Sequence, residues 1–541
     1  MWHVTSLPRL ASILALITVI AGAQSSNLPI VDIGYAIHQA RYSVSNQSNV
    51  YYNFSNIRYA APPIGNLRFT ATEAPFNNRS AGIQDGSYGK ICPNAFASWQ
   101  IGALSLNPGA ENENEDCLFL DVVVPQYVYD KKDKKGPSPV IVWFHGGGYT
   151  LGSKYAAGNP TGLLDQSLDT QAKGQVWVGI NYRLGAMGWL NGPDFAAQGG
   201  TPNAGLYDQQ MALQWVQHNI HLFGGDPKQV TVMGESAGGG SILHHITAYG
   251  GSKTELNSLF QQAIVQSPAF IPTGLKSTTN TAFTNFLFFA NVSNLAQARQ
   301  LDTLTLQKAN KLTQSLAFYG TFTFGPAPDG TFVPDLPGKL LLQGKYNKNL
   351  KIIAAHNTNE AGRYTPSTAT NSDDFTTLIK LYFPAISTTN LNYLTNTLFP
   401  AIYDGSQLYT TPFERLKLAI ADFTFTCSTR WLAAAYDYKT HNYIFSVSPG
   451  NHTQDVPYTF YNGPIAIVKN DTLAVVMQRY LTGFVNNGSP NRRGLDHWVE
   501  TGIKGRVLNF NQTSVDTRLD AQTVNERCVW WQKALYGDDW A

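Results

Sequence analysis

The stretch Val230-Thr231-Val232-Met233-Gly234-Glu235-Ser236-Ala237-Gly238-Gly239-Gly240-Ser241-Ile242-Leu243 decides the fold. Its first four residues form a short β-rich run, and its last three open a helix-like segment. Ser236 stands between them, with Gly234 and Gly238 on either side. A sharp strand-to-helix elbow strains the residue at its apex, and neighbours without bulk let the two elements approach closely. The helix then points the positive end of its dipole at any oxyanion formed beside the serine. An inert, helix-capping serine in a tight turn would share the glycines but not this placement between strand and helix. Ser236 is the candidate nucleophile.

Outward from this point the same rhythm recurs. Short apolar runs at 140–144, 176–180, 263–265, 352–355 and 443–445 each lead into a helix-like segment. Such runs suit strands buried on both faces, as parallel sheets require. Between two of them, Met211, Leu213, Trp215, Val216 and Ile220 lie close to helical spacing, which predicts a helix over 208–222. Strands alternating with helices predict an α/β class with a large, mostly parallel sheet, whose reactive groups gather at the carboxyl ends of its strands. Residues 275–345 lack a strand rhythm and read as a helical insertion near the site.

The run Val140-Ile141-Val142-Trp143-Phe144 ends in His145-Gly146-Gly147-Gly148-Tyr149. Bare glycine amides after a buried strand suit a loop that donates to a tetrahedral intermediate. Gly147, Gly148 and the amide of Ala237, which follows the nucleophile, are the candidate oxyanion donors. Neither glycine cluster continues into Gly-Lys-Ser/Thr, which excludes a phosphate loop. His145 precedes the serine and reads as a loop-positioning residue.

In strand–turn–helix serine sites the partners follow in the order Ser, Asp/Glu, His. The 352–355 run leads to His356-Asn357-Thr358-Asn359-Glu360, which makes Glu360 the candidate acid, while Asp329 and Asp335 sit in a Pro/Gly-rich loop as turn residues. Three histidines follow Glu360. His441 precedes a strand and belongs at the wrong end of the sheet, and His497 lies in a later Trp-bearing segment. His452 follows the 443–445 strand after a loop mobile enough to swing an imidazole onto the serine, and is the candidate base.

Composition narrows the classes. The chain has 541 residues, 43% hydrophobic, with 38 basic against 36 acidic residues, so a large core is expected and the basic footprint of a nucleic-acid binder is absent. The charge run 131–135 reads as a solvated loop. Arg9, the apolar run 10–20 and Ala21-Gly22-Ala23 read as a signal peptide over residues 1–23, with one unit over 24–541. No other stretch approaches the ~20 apolar residues of a membrane span, so an exported protein without integral membrane association is expected. Four cysteines, Cys92, Cys117, Cys427 and Cys528, suit two disulfides, and spacing alone leaves three pairings open. None lies at C-x-x-C spacing, so no metal site is expected. Sequons begin at Asn46, Asn53, Asn78, Asn291, Asn470 and Asn511, the glycan candidates, and at Asn451 and Asn487. Asn451 adjoins His452, where a glycan would obstruct a closed site. Glycopeptide mass spectrometry should find Asn451 unmodified; full occupancy would mean an open loop.

Longer stretches carry a resemblance. They are Ile57-Arg58-Tyr59-Ala60-Ala61-Pro62-Pro63-Ile64-Gly65-Asn66-Leu67-Arg68-Phe69, Glu115-Asp116-Cys117-Leu118-Phe119-Leu120-Asp121-Val122, Asn181-Tyr182-Arg183-Leu184-Gly185, Asn203-Ala204-Gly205-Leu206-Tyr207-Asp208-Gln209 and Phe223-Gly224-Gly225-Asp226-Pro227. Together with Gly234–Gly238 they resemble the type-B carboxylesterase/lipase family, the cholinesterase-like α/β-hydrolases, and suggest a secreted fungal member. The resemblance spans nearly the whole chain after the leader. It implies an α/β-hydrolase fold with helical insertions around the site, the Ser236/Glu360/His452 triad and the Gly147/Gly148/Ala237 hole. It also implies the pairings Cys92–Cys117 and Cys427–Cys528, and Ser267 as a partner behind the triad, although Pro268 stands where the family usually has glycine. No cofactor is implied.

The resemblance bears on substrate as well. Cholinesterases place a choline-stacking Trp shortly before the second cysteine of the first disulfide loop; here Asn107 stands there and Trp99 lies farther upstream, which disfavours choline esters. Phe96, Trp99, Ile101, Leu104 and Leu106 make that loop apolar, as a short lid or a gorge wall. The expectation is a carboxylic ester hydrolase acting on small to medium acyl esters. A lipase or sterol-ester hydrolase with a short lid is the alternative, and a non-catalytic adhesion-type ectodomain a remote one. The oligomeric state is left open.

Overall fold

The computed structural model describes residues 28–537 apart from 46, 88, 101–111, 169–173 and 270–275. The leader read over 1–23 and the sequon at Asn46 lie outside the described residues.

Among the described residues, eleven strands form one sheet. In chain order they are β1 (Arg41–Val44), β2 (Val50–Arg58), β3 (Phe119–Pro125), β4 (Ser138–Phe144), β5 (Val176–Ile180), β6 (Gly225–Glu235), β7 (Gln262–Gln266), β8 (Lys351–Asn357), β9 (His441–Phe445), β10 (Arg506–Phe510) and β11 (Val515–Leu519). Across the sheet they run β11-β10-β9-β8-β7-β6-β4-β5-β3-β2-β1. From β5 to β10 every neighbouring pair is parallel, and both margins are antiparallel. The sheet is therefore mixed, parallel where the site lies. A separate three-stranded sheet joins Ile30–Asp32, Ile37–Gln39 and Ile83–Gln84.

Burial on both faces explains the unbroken apolar runs. Along β4, Val140, Val142 and Phe144 join the core on one face, while Ile141 and Trp143 join the core on the other. The first core takes in Leu206, Leu213 and Val216 of helix Ala204–Asn219 and Ile242 and Leu243 of helix Ala237–Ile246. The second takes in Met477, Leu481 and Phe484 of helix Asp471–Asn487. The helix expected over 208–222 begins four residues earlier and ends in a 3-10 turn, Ile220–Phe223. The charged run 131–135, expected as a loop, is mostly a short helix, Lys132–Lys135, on which Asp133 and Lys134 are exposed.

The insertion expected at 275–345 is helical, with Lys276–Phe289, Leu295–Ala298, Thr303–Ser315 and Pro337–Leu342. A second helical segment, Ser372–Ala435, separates β8 from β9. Both disulfides pair as the resemblance implied, Cys92–Cys117 and Cys427–Cys528, with separations of 25 and 101 residues. Loops of that length are worth about 3.5 and 4.7 kcal/mol in the chain-entropy account. No helix among the described residues is long and apolar enough to cross a membrane.

Behind the site, β8 is tied to the C-terminal segment by a buried ion pair. His356 Nε2 lies 3.1 Å from Asp520 Oδ2. Burial lowers His356 and raises Asp520, but their mutual attraction outweighs it, leaving the histidine pKa above its ordinary value and the aspartate pKa below. The histidine's contribution to stability is full below its unfolded pKa of ~6.5 and is lost as pH rises through the raised folded value. The aspartate's is full above ~3.9 and is lost as pH falls through the lowered folded value. Asp520→Asn should therefore cost about 3 kcal/mol between pH ~4.5 and 6.5, and less at pH 9. Urea unfolding across pH checks this; a cost independent of pH contradicts it.

Candidate active site

Ser236 sits at the junction of β6 and helix Ala237–Ile246 with φ 57° and ψ −125°, a conformation that is strained for a side-chain-bearing residue. The elbow is tight enough to require glycine. A Cβ on Gly238 would lie 1.9 Å from the Phe144 carbonyl oxygen at the end of β4. The strained turn lifts the hydroxyl over the carboxyl end of the sheet, where the loops after β8 and β9 meet it.

His452 Nε2 lies 2.8 Å from Ser236 Oγ, and His452 Nδ1 lies 2.6 Å from Glu360 Oε2. With the Nδ1 proton donated to Glu360, Nε2 is free to accept the serine proton. The other Glu360 oxygen accepts from Ser267 Oγ at 2.6 Å and from the Asn357 amide at 2.5 Å. These two bonds fix the carboxylate plane and place Ser267 behind Glu360. All three residues are buried. The loop carrying His452, expected to be mobile, is instead stitched to the acid loop. The Asn359 amide donates to the Gly450 carbonyl, Asn359 Nδ2 to Asn451 Oδ1 and Asn357 Nδ2 to the Asn451 carbonyl, each at 2.8 Å. The Asn451 side chain is thus already engaged next to the imidazole.

The glycine loop after β4 packs against the serine. A Cβ on Gly146 would lie 2.9 Å from Ser236 Cβ. No hydrogen bond from the amides of Gly147, Gly148 or Ala237 is found among the described residues, which leaves them available to a developing oxyanion. Gly148 has φ +62°. His145 stacks on Tyr182, with ring centroids 4.3 Å apart, and its Nδ1 contacts the Gly146 carbonyl oxygen at 2.8 Å. Burial lowers its pKa to about 4, which keeps it neutral. His441 begins β9 at the far end of the strand, and His497 is exposed. Asp329 accepts from the amides of Thr331 and Val333 in a turn, and Asp335 pairs with Lys339.

Several residues at the site carried no sequence signal. Glu235 is buried, and its Oε1 lies 3.4 Å from His452 Nε2 without a hydrogen-bond partner. Burial raises its pKa to about 8, and the nearby Asp455 and Glu360 add to this against the pull of His452. Burial lowers the pKa of His452, but the Glu235 and Glu360 carboxylates together overcome it and hold it above the ordinary histidine value. A cleft of about 380 Å³, mouth included, is lined by Gly148, Ser236, Phe322, Phe324, Tyr364 and Phe425, among others. Phe425 and Tyr364 pack on the His452 ring at 4.3 and 5.5 Å. Behind the cleft residues Phe322 and Tyr364, Trp99 packs against both rings and Tyr319 and donates from Nε1 to the Thr321 carbonyl at 2.7 Å. Ile101, Leu104, Leu106 and Asn107 lie outside the described residues.

Among the glycan candidates, Asn78 and Asn291 are exposed. Asn53 is half-buried on β2, Asn470 caps helix Asp471–Asn487, and Asn511 turns between β10 and β11.

Comparison with known proteins places these features in a family. A family model described as the carboxylesterase family matches residues 30–531. The carboxylesterase patB of Aspergillus clavatus is 40% identical over 95% of this chain and 98% of its own length. A secreted lipase of Arthroderma benhamiae is 32% identical over 83% of this chain and 89% of its own. Among solved structures, Aspergillus niger EstA superposes with a TM-score of 0.79 at 28% identity, covering 94% of this chain and 98% of that one.

Proposed function

The chain belongs to the carboxylesterase family, and from that premise we propose that it hydrolyses small to medium acyl esters through an acyl-enzyme on Ser236. The observation that carries the reading is the buried relay from Ser236 Oγ through His452 to Glu360, at 2.8 and 2.6 Å.

His452 takes the Ser236 proton as the oxygen attacks the ester carbonyl. The carbonyl oxygen becomes an anion facing the amides of Gly147, Gly148 and Ala237, each worth about 3 kcal/mol to such a transition state. As the tetrahedral intermediate collapses, the C–O bond to the alcohol breaks and His452 protonates the departing oxygen. Water then enters, gives its proton to His452 and attacks the acyl-enzyme; Ser236 leaves and regains its proton. Glu360 keeps the imidazole in the useful tautomer and offsets its charge in both halves.

The acyl preference rests on Phe322. Its ring occupies the space over Gly148, within 2.3 Å of where a Cβ there would lie, so a long acyl chain meets an aromatic wall. Phe322→Ala should raise kcat/KM for p-nitrophenyl octanoate relative to acetate by at least tenfold, since each accommodated methylene is worth ~1 kcal/mol or more. An unchanged ratio would place the acyl chain elsewhere.

A second reading, a lipase or sterol-ester hydrolase, is favoured by the exposed Phe96, Leu316, Phe318 and Tyr319, the last of which packs on Trp99. A p-nitrophenyl ester series measured below and above the substrate's solubility limit separates the two. Smooth saturation supports the esterase; a jump in rate at the limit supports the lipase.

Export belongs to the same proposal, supported by the leader-like residues 1–23, the two disulfides and the secreted relative. Residues 24–541 then act as one catalytic unit on a small-molecule or lipid ester.

A further inference from the structure

We propose that Gln266 is a positioning residue for His452, setting the histidine turn and the nucleophile elbow in register through one buried side chain and its own backbone. The proposal rests on the triad reading above.

Gln266 is the last residue of β7, between the strand that delivers Ser236 and the strand that delivers Glu360. It is fully buried. Its carbonyl accepts from the Ser236 amide at 3.0 Å, which holds the elbow from below. Its side chain runs the other way, toward the base. Nε2 lies 2.7 Å from the Tyr443 hydroxyl, 3.0 Å from Thr459 Oγ1 and 3.2 Å from Asp455 Oδ2. The Tyr443 hydroxyl itself donates to Asp455 Oδ2 at 2.7 Å.

Asp455 is the fixed point of the histidine turn. It lies three residues after His452, is fully buried, and its carbonyl accepts from the amides of Tyr458 and Thr459. Its carboxyl group shares this interior with Glu235, Glu360 and His452. A carboxylate there needs donors, and the Tyr443 hydroxyl and the Gln266 carboxamide at Oδ2, with Asn357 Nδ2 at 3.4 Å from Oδ1, supply them without adding charge.

The amide orientation is set by this task. Turning it over would aim its oxygen at the Asp455 carboxylate. As placed, the donor end is shared among three oxygens while Oε1 has no hydrogen-bond partner. The next residue completes the arrangement, because Ser267 Oγ donates to Glu360 Oε1. Two consecutive residues therefore touch all three elements of the site.

Gln266→Met keeps the length and removes both donors. In purified protein, kcat for p-nitrophenyl acetate should fall at least tenfold with KM within threefold, and phosphonate labelling of Ser236 should slow in proportion. Asp455→Asn should lower kcat similarly, and the double variant should cost no more than the worse single one, since both act along one path. If Gln266→Met does not fold, Tyr443→Phe, which keeps the ring and removes the linking hydroxyl, should lower kcat at least threefold at constant KM. Folded Gln266→Met with unchanged kcat and labelling rate, additive losses in the double variant, or an unchanged Tyr443→Phe when that is the variant available, would overturn the inference. Failure of the wild-type protein to label at Ser236 would instead overturn the triad reading on which it rests.

Discussion

Ser236→Ala lowers kcat for ester hydrolysis by about 10⁴- to 10⁶-fold and leaves the protein folded. The size follows from the chemistry, because without the hydroxyl there is no acyl-enzyme and water must attack directly, helped only by the oxyanion donors and substrate binding. The fold should hardly notice. Alanine adds no bulk at the elbow, and the main loss is the single bond to His452 Nε2, worth about 1 kcal/mol. Matched melting curves alongside lost turnover check the prediction. Turnover within a hundredfold of wild type would assign the nucleophile elsewhere.

Glu360→Gln carries the second-largest effect, about 10³- to 10⁴-fold in kcat. Glu360 accepts three hydrogen bonds, from Ser267, Asn357 and His452. A carboxamide can accept from Ser267 and the Asn357 amide with its oxygen, but then turns its NH₂ toward His452 Nδ1. That favours the tautomer with the proton on Nε2, which cannot accept from Ser236. The loss also shows in the pH profile. On the proposed mechanism the base works only when neutral, so activity should rise with pH through the pKa of His452, which the neighbouring Glu235 and Glu360 hold above its ordinary value. Removing one of them lowers that pKa, and the residual activity of the variant should reach its plateau at lower pH than wild type. A variant with near-normal kcat, or with its acid limb moved to higher pH, would mean another group serves as the acid.

What could be read from the sequence follows the burial of the strands. Runs such as Val140–Phe144 and Ile352–Ala355 are apolar throughout because both faces of the sheet are covered, and their ends point to Gly147, Ser236 and Glu360. His452 became a candidate because chain order leaves three histidines after Glu360. The marginal strands were illegible for the converse reason. Arg41–Val44 and Val515–Leu519 are largely exposed and polar, so neither carries the continuous run of a buried strand. The walls of the cleft were hidden too. Phe322, Tyr364 and Phe425 come from irregular or helical segments, and nothing periodic links an aromatic residue there to a histidine many residues away. Glu235 adjoins the nucleophile in sequence, yet only the turn of its side chain toward His452 reveals it.

The measurement that bears most directly on the account is peptide mapping of the full-length enzyme after inactivation by a fluorophosphonate. One adduct per chain, on the peptide containing Ser236, formed at a rate that falls together with the loss of activity and is abolished in Ser236→Ala, is the predicted result. Complete inactivation with the phosphonyl group on any other residue, or full activity retained with Ser236 modified, would contradict it.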